Sequence, residues 1–323
     1  MKRAWVFFVF VALGCASAAD DGVVAEASHD AAASEETATS DGASTDSAID
    51  SGADAGPPAK PTGTVIEFLS TDGMLFDSIP HTGTVTLGAK DTVARDGNLV
   101  NLLFKGGNTK VGPGGATEID SKKAYGYGTF RFRVRLATCA KNEELVNGLF
   151  LYANDGKDHD GDGIVDNSEI DIEILCGQPN FINMTSWTGY TDDTHMKKQS
   201  RTVDLETGKV YIGNVDGYGY DEKDPRTGKV DPAFVHPGWY DANGFYEMGY
   251  EWSASKIRFF IVLGGKELTL YTTEDPTRVP TSQMQMLFNL WHPAEHWNEE
   301  GAAAVAAKDA TLSIDWFQYD AAK

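Results

Sequence analysis

The sequence predicts an all-β chain folded as a two-sheet antiparallel sandwich or jelly roll. Three observations carry that expectation. Short runs alternating apolar and polar residues recur from residue 62 to the end, separated by Gly, Asn, Asp and Pro. No long stretch has helical periodicity, and only residues 300–308, Glu-Gly-Ala-Ala-Ala-Val-Ala-Ala-Lys, are expected to make a turn or two of helix. No internal repeat divides the chain, so residues 62–323 read as one domain.

The N-terminus is built differently. Met1-Lys2-Arg3, an apolar run over residues 4–13 and Gly-Cys-Ala-Ser-Ala-Ala at 14–19 form the pattern of a secretory signal peptide, with cleavage after Ala18. The run is too short to span a bilayer. Leu13-Gly14-Cys15 alternatively resembles a bacterial lipobox with its leucine one place late, and an acylated Cys15 then tethers the protein. Both readings predict a secreted or cell-surface protein in an oxidising compartment. Residues 20–61 follow as a linker. Positions 20–60 hold ten Asp/Glu, one lysine and no Phe, Trp or Tyr, which is too little apolar surface to offset ordering entropy; a disordered, self-repelling spacer is expected.

Within the domain, runs at 65–68, 128–136, 147–153, 181–187, 256–263, 284–291 and 311–317 read as strands. Their parity sorts the faces. Phe130, Phe132, Val134 and Leu136 share one side of their strand, and Arg131, Arg133 and Arg135 the other. Asn183, Thr185 and Trp187 oppose Ile182 and Met184, while Asn289 and Trp291 oppose Met286, Phe288 and Leu290. Asn and Trp opposite an apolar face suit a sugar site, because indoles stack on pyranose faces and amides read hydroxyls. With Phe150 and Tyr152 these five are the expected substrate contacts; Trp252 and Trp316, flanked by core-like residues, are assigned to packing.

Residues 167–175, Asn-Ser-Glu-Ile-Asp-Ile-Glu-Ile-Leu, carry the chemistry. Ile170, Ile172 and Ile174 alternate with Glu169, Asp171 and Glu173, the pattern of a strand with one buried and one acidic face. An ordinary solvated strand would favour Thr or Lys there, since like charges at i, i+2 and i+4 repel. Residues four apart on a strand are separated by about 13 Å at Cα. Side chains leaning together bring two Glu carboxyls toward the ~5–5.5 Å at which a retaining glycosidase sets its nucleophile and its acid/base. Asp171 between them is expected to hold a proton or hydrogen bond that keeps their pKa values apart.

At Glu169-Ile-Asp-Ile-Glu173 the chain resembles glycoside hydrolase family 16, whose signature is Glu-aliphatic-Asp-aliphatic-Glu with an optional residue before the last Glu. Residues 125–130, Asn289-Leu-Trp291 and Asp315-Trp316 extend the likeness over about residues 120–320. The resemblance implies a concanavalin-like β-jelly roll with a substrate groove across its concave sheet, acting on β-linked glucans or galactans. It makes Glu169 the nucleophile, Glu173 the acid/base and Asp171 the assisting carboxylate. The missing insertion before Glu173 is similar to β-1,3-1,4-glucanases and xyloglucan-active relatives. Phe245-Tyr-Glu-Met248, where relatives often have Phe-His-x-Tyr, and Cys176 depart from the family pattern. A secreted retaining endo-β-glucanase is the first expectation. A β-glucan or xyloglucan transglycosylase differs by its acceptor site, and a non-catalytic binding module predicts loss of one or both glutamates, which are present.

Composition limits the partners. A net charge of −21 and a pI near 4.6 argue against nucleic acid and anionic membranes, leaving a neutral polysaccharide; a monomer is expected. With Cys15 removed or acylated, Cys139 and Cys176 remain. If strand 147–153 runs antiparallel to 169–175, the loop before the first strand meets the end of the second, which predicts a Cys139–Cys176 disulfide. Residues 158–169 satisfy the calcium-loop spacing, with Asp158, Asp160, Asp162, the Ile164 carbonyl and Asp166 as ligands and Glu169 at the twelfth place. Glu169 cannot be both a bidentate calcium ligand and a nucleophile, so water is expected to replace it. No cofactor is required for the chemistry, and Ca²⁺ would be structural. A calcium sensor is disfavoured because no amphipathic helix flanks the loop.

Overall fold

A computed structural model describes residues 64–68, 75–154, 156–158, 161, 163, 165, 167–192, 195–294, 297 and 303–323. The expected N-terminal signal and linker, and four of the five expected calcium ligands (Asp160, Asp162, Ile164 and Asp166), lie outside the described residues.

Two antiparallel sheets face each other, as the alternation predicted. One contains β1 (Thr64–Ile66), β3 (Thr84–Lys90), β4 (Asn98–Phe104), β6 (Gly128–Arg135), β13 (Tyr246–Trp252), β14 (Ile257–Leu263), β15 (Lys266–Thr272) and β17 (Ala310–Ala321). Its order is β15-β14-β13-β6-β17-β4-β3, with β1 also on β17. The other contains β2 (Phe76–Pro80), β5 (Thr117–Tyr125), β7 (Val146–Asn154), β8 (Asn167–Leu175), β9 (Phe181–Asp192), β10 (His195–Asp204), β11 (Lys209–Ile212), β12 (Lys229–Val230) and β16 (Met284–Trp291). It is ordered β12-β11-β10-β9-β8-β7-β16-β5-β2, which puts β8 at its centre.

One apolar side of each strand fills the space between the sheets. Ile170, Ile172 and Ile174 of β8, Leu149 and Leu151 of β7, and Met286, Phe288 and Leu290 of β16 are all but inaccessible, as are Phe130, Phe132 and Val134 of β6 opposite them. Phe132 and Phe288 meet across the gap edge to face, with ring centroids 5.8 Å apart at 88°, the geometry that brings a ring's positive edge onto a negative face. Trp252 and Trp316 are buried, in keeping with packing roles. The arginines of β6 lie on the outside of their sheet, where Arg131 pairs with Glu247 and Glu267, Arg133 with Asp315 and Arg135 with Asp91. Phe245, one of the departures from the family pattern, lies under the Arg133 and Arg135 guanidinium groups on that outer side, away from the acids of β8.

The disulfide joins Cys139 and Cys176 with Cα atoms 5.2 Å apart. The cause is the expected antiparallel pairing: Val146 opposes Leu175, so the loop before β7 meets the end of β8. Bridging 37 residues is worth roughly 2–4 kcal/mol, mainly by restricting the unfolded chain. One expectation needs correcting. Residues 303–308 form no helix: Ala304 bridges to Glu143, and the Ala307 amide donates to the Glu143 carboxylate. An alanine run has helix propensity, but at this length it is too short to form a helix without packing of its own, and here only Ala304 makes a strand-like bridge.

Candidate active site

β8 is paired without a register break to β7, from Val146 opposite Leu175 to Asn154 opposite Asn167. Unbroken period two therefore sends all three isoleucines into the core and all three acids to the outer face of the sheet. Beside them on that face lie Tyr152, Phe150 and Gly148 of β7, and Trp187, Thr185 and Asn183 of β9, opposite Glu169, Asp171 and Glu173 respectively. Gly148 separates Glu173 from Asn289 of β16; a Cβ at that position would meet the Asn289 Oδ1 at 2.2 Å, so the missing side chain makes room on the floor.

The three acids have different surroundings. Asp171 is 3% exposed although it lies on the outer face. Burial, then the charges of Glu169 and Glu173, push its pKa well above the usual carboxylate range; it shares a hydrogen bond with Glu169 and accepts the Trp187 indole N–H at 3.0 Å. Glu173 is pushed up to about 8, again by burial first and the Glu169 charge second, against the partial relief of the Lys198 charge and a Trp291 hydrogen bond. Low dielectric together with like charge therefore favours the protonated form of both Asp171 and Glu173.

A cleft of about 330 Å³ lies over this row, lined by Glu169, Asp171, Glu173, Trp187, Trp291 and Lys198 among others. Lys198, on β10 opposite Trp187, is 6% exposed and its ammonium is pushed down to about 8 by burial. Its Nζ donates to the Gly217 carbonyl at 2.8 Å and sits 4.9 Å from the Trp187 ring and 5.4 Å from that of Tyr218. The loop bearing Tyr218 is pinned at Asp216, whose φ of +52° is uncommon for a residue with a Cβ. Asp216 accepts the Lys198 amide N–H at 2.7 Å and pairs with Arg278. Trp297 stands 5.8 Å from Trp291 on the opposite wall.

Of the expected substrate contacts, Asn183, Thr185, Trp187 and Trp291 line the cleft. Trp187 is 6% exposed, and its indole N–H is committed to Asp171. Asn183 donates to the Glu173 carbonyl at 3.2 Å and accepts from Thr202 at 2.7 Å. Phe150 and Tyr152 share the face but lie outside the cleft lining, and Asn289 is buried with its amide donating to Glu118 at 3.0 Å. Lys198, Ser200, Thr202, Tyr218, Tyr220 and Trp297 were missed by parity, because they come from strands and loops that are polar on both sides. A second acidic pair, Glu118 and Asp120 of β5, lies three strands from β8 on the same sheet, with Asp120 pushed up to about 9 by burial and by the Glu118 charge. Glu118-Ile-Asp120 carries the same alternation as β8, a signal that could have found it.

For a metal, the described part of the calcium pattern is Asp158, whose carboxylate accepts the Gly161 and Gly163 amides at 2.6 and 2.7 Å. Among the described residues Glu67, Asp96 and Asp315 bring carboxylate oxygens within 4.8 Å of one another, but Asp315 already accepts from the Arg95 amide and Arg133.

No family model matches the chain. An endo-1,3-1,4-β-glycanase of Rhizobium meliloti is 23% identical over 209 residues, spanning 64% of this chain. The chain matches 58% of that relative's length. Solved structures with a similar outline include a Bacillus licheniformis β-glucanase, at 16% identity and a TM-score of 0.49 over 82% of this chain and all of that one. A β-1,3-1,4-glucanase from a mouse hindgut metagenome has 19% identity and a TM-score of 0.47 over 81% of this chain and all of that one. The likeness to glycoside hydrolase family 16 carried by the β8 motif agrees with the Rhizobium relative.

Proposed function

We propose that this protein is a secreted retaining endo-β-glucanase that hydrolyses β-1,3-1,4-linked or similar glucans by double displacement. The observation that carries the reading is the division of environments along β8: Glu173 is held protonated up to about pH 8, while Glu169 shares a hydrogen bond with Asp171. Two carboxyls flanking one bond, with their proton affinities set apart by their surroundings, is the requirement of retaining glycoside hydrolysis.

In the first half-reaction a Glu169 oxygen attacks the anomeric carbon as the glycosidic C–O bond breaks, and the leaving oxygen takes the Glu173 proton. The products are a glycosyl ester on Glu169 and a Glu173 carboxylate. In the second half a water gives its proton to Glu173 and adds to the anomeric carbon, releasing Glu169 with the original configuration restored. Asp171, anchored by Trp187, hydrogen-bonds Glu169 and limits its rotamers. The lining indoles and hydroxyls suit a neutral sugar chain. Among the described residues no helix is long and apolar enough to cross a membrane.

A reducing-sugar assay against barley mixed-linkage glucan, laminarin, xyloglucan and agarose selects the substrate, and oligosaccharide products in place of released monosaccharide identify endo cleavage. Accumulation of longer products when an acceptor oligosaccharide is added would indicate a transglycosylase instead. Glu169→Ala should abolish hydrolysis, and azide should restore turnover to a glycosyl azide of inverted configuration, because the anion occupies the nucleophile's space. A Glu169 variant that keeps most of its activity overturns the assignment.

A further inference from the structure

The face that carries the three acids continues beyond the cleft. Glu173 opposes Asn183, Asn183 opposes Thr202 and Thr202 opposes Tyr211, one row of cross-strand partners over four neighbouring strands. At ~4.8 Å per strand, Tyr211 stands about 14 Å from Glu173 along that row. Side chains tie the row together: Thr202 donates to Asn183 at 2.7 Å, and the Tyr220 hydroxyl donates to Thr202 at 3.3 Å. Tyr220 lines the cleft on one side and a second pocket, of about 450 Å³, on the other.

That second pocket has the chemistry of a sugar site. The Phe181 and Tyr211 rings lie 6.2 Å apart and those of Tyr211 and Tyr220 5.1 Å apart, all three partly exposed. The β8–β9 turn supplies the side-chain amides of Gln178 and Asn180, and Lys141 adds a cation at the rim. No carboxylate lines it, unlike the cleft. Adjacent ring faces offer apolar area to the C–H faces of pyranoses at small entropy cost, while amides donate to and accept from hydroxyls. The two pockets are continuous through Tyr220, so a glycan long enough to extend from the cleft would reach the second one.

We propose that Phe181, Tyr211 and Tyr220 form an accessory binding site for neutral sugar units of the same glycan, remote from the scissile bond. The site rests on the reading of the cleft as a glycan channel. It makes long chains better substrates than short ones without touching the reacting atoms.

The test measures kcat/KM for native protein, Tyr211→Ala, Tyr211→Phe and Asn180→Ala on a short aryl β-glycoside, on a ladder of glucan oligosaccharides and on polymer. The expected result is a loss of about tenfold for Tyr211→Ala on long substrates, the factor that corresponds to 1.4 kcal/mol. The short glycoside should be cleaved at the native rate, and Tyr211→Phe should keep the long-chain advantage. Asn180→Ala, in the half-buried β8–β9 turn, repeats the length-selective loss on a smaller scale and serves if Tyr211→Ala does not fold. A loss equal at all lengths overturns the proposal. If the native protein cleaves none of the glucans, the catalytic reading fails, and the site is judged separately by native gels containing the same polysaccharides. There, retardation of native protein but not of the alanine variants supports it, and equal mobility overturns it.

Discussion

At the scale of single residues, Lys198 shows how one buried cation organises the cleft. It counters part of the burial and like-charge effects on Glu173, it holds the Gly217 carbonyl, and it lies against the Trp187 and Tyr218 rings. Loss of the Glu173 proton ends its role as an acid, so activity should fall as pH rises through about 8. Lys198→Met removes a charge that favours the ionised carboxylate, so Glu173 should keep its proton to higher pH and the alkaline limb of kcat/KM should move upward. Lys198→Arg should restore the native limb. An unmoved limb in Lys198→Met, with activity lowered evenly, would mean that the lysine only props the 216–220 loop. Nothing in the local sequence marks Lys198: it sits in Lys197-Lys-Gln-Ser-Arg201, polar on both faces, and only the pairing of β10 to β9 brings it over Trp187.

At the scale of elements, what was legible depended on whether a strand has two unlike faces. β8 and β16 were readable because one side is apolar throughout, and period two then dictates where the acids, Trp291 and Asn289 point. β10 and the short β11 and β12 were not readable, since they cover the far end of their sheet with mixed residues. Face was legible but depth was not: parity placed Asn289 on the acid side correctly, yet the approach of β5 buries it against Glu118. The loop from β7 into β8 remains the element with an unassigned purpose. We propose that Asp158, Asp160, Asp162, the Ile164 carbonyl and Asp166 hold a structural Ca²⁺ with water at the twelfth position. Chelation should then lower thermal stability and activity together, and Asp160→Ala should reproduce it. Glu169→Gln should abolish activity yet leave the calcium-dependent shift in Tm unchanged; a Glu169→Gln protein insensitive to calcium would show that Glu169 is a ligand.

At the scale of the whole molecule, the buried acids of the cleft-bearing sheet set how stability varies with pH. Burial raises Glu118, Asp120 to about 9, Asp171, and Glu173 to about 8, all above their ordinary values near 4. A carboxyl whose pKa is higher folded than unfolded contributes stability that is complete below the unfolded value and is lost as pH rises through the folded one. The ion-paired surface acids act oppositely: Asp216, Glu251, Glu267 and Glu274 are lowered by arginine partners and lose their contribution only as pH falls below the usual carboxylate range. Self-repulsion of a chain carrying −21 also grows as its carboxylates ionise. Tm should therefore peak near pH 5 and decline toward pH 9. Glu173→Gln and Asp120→Asn keep shape while removing two of the raised titrations, so the double variant should lose less Tm between pH 5 and 9 than the native protein, as calorimetry at fixed ionic strength can measure. A double variant with the native slope would place the pH dependence in overall charge rather than in the buried acids of this sheet.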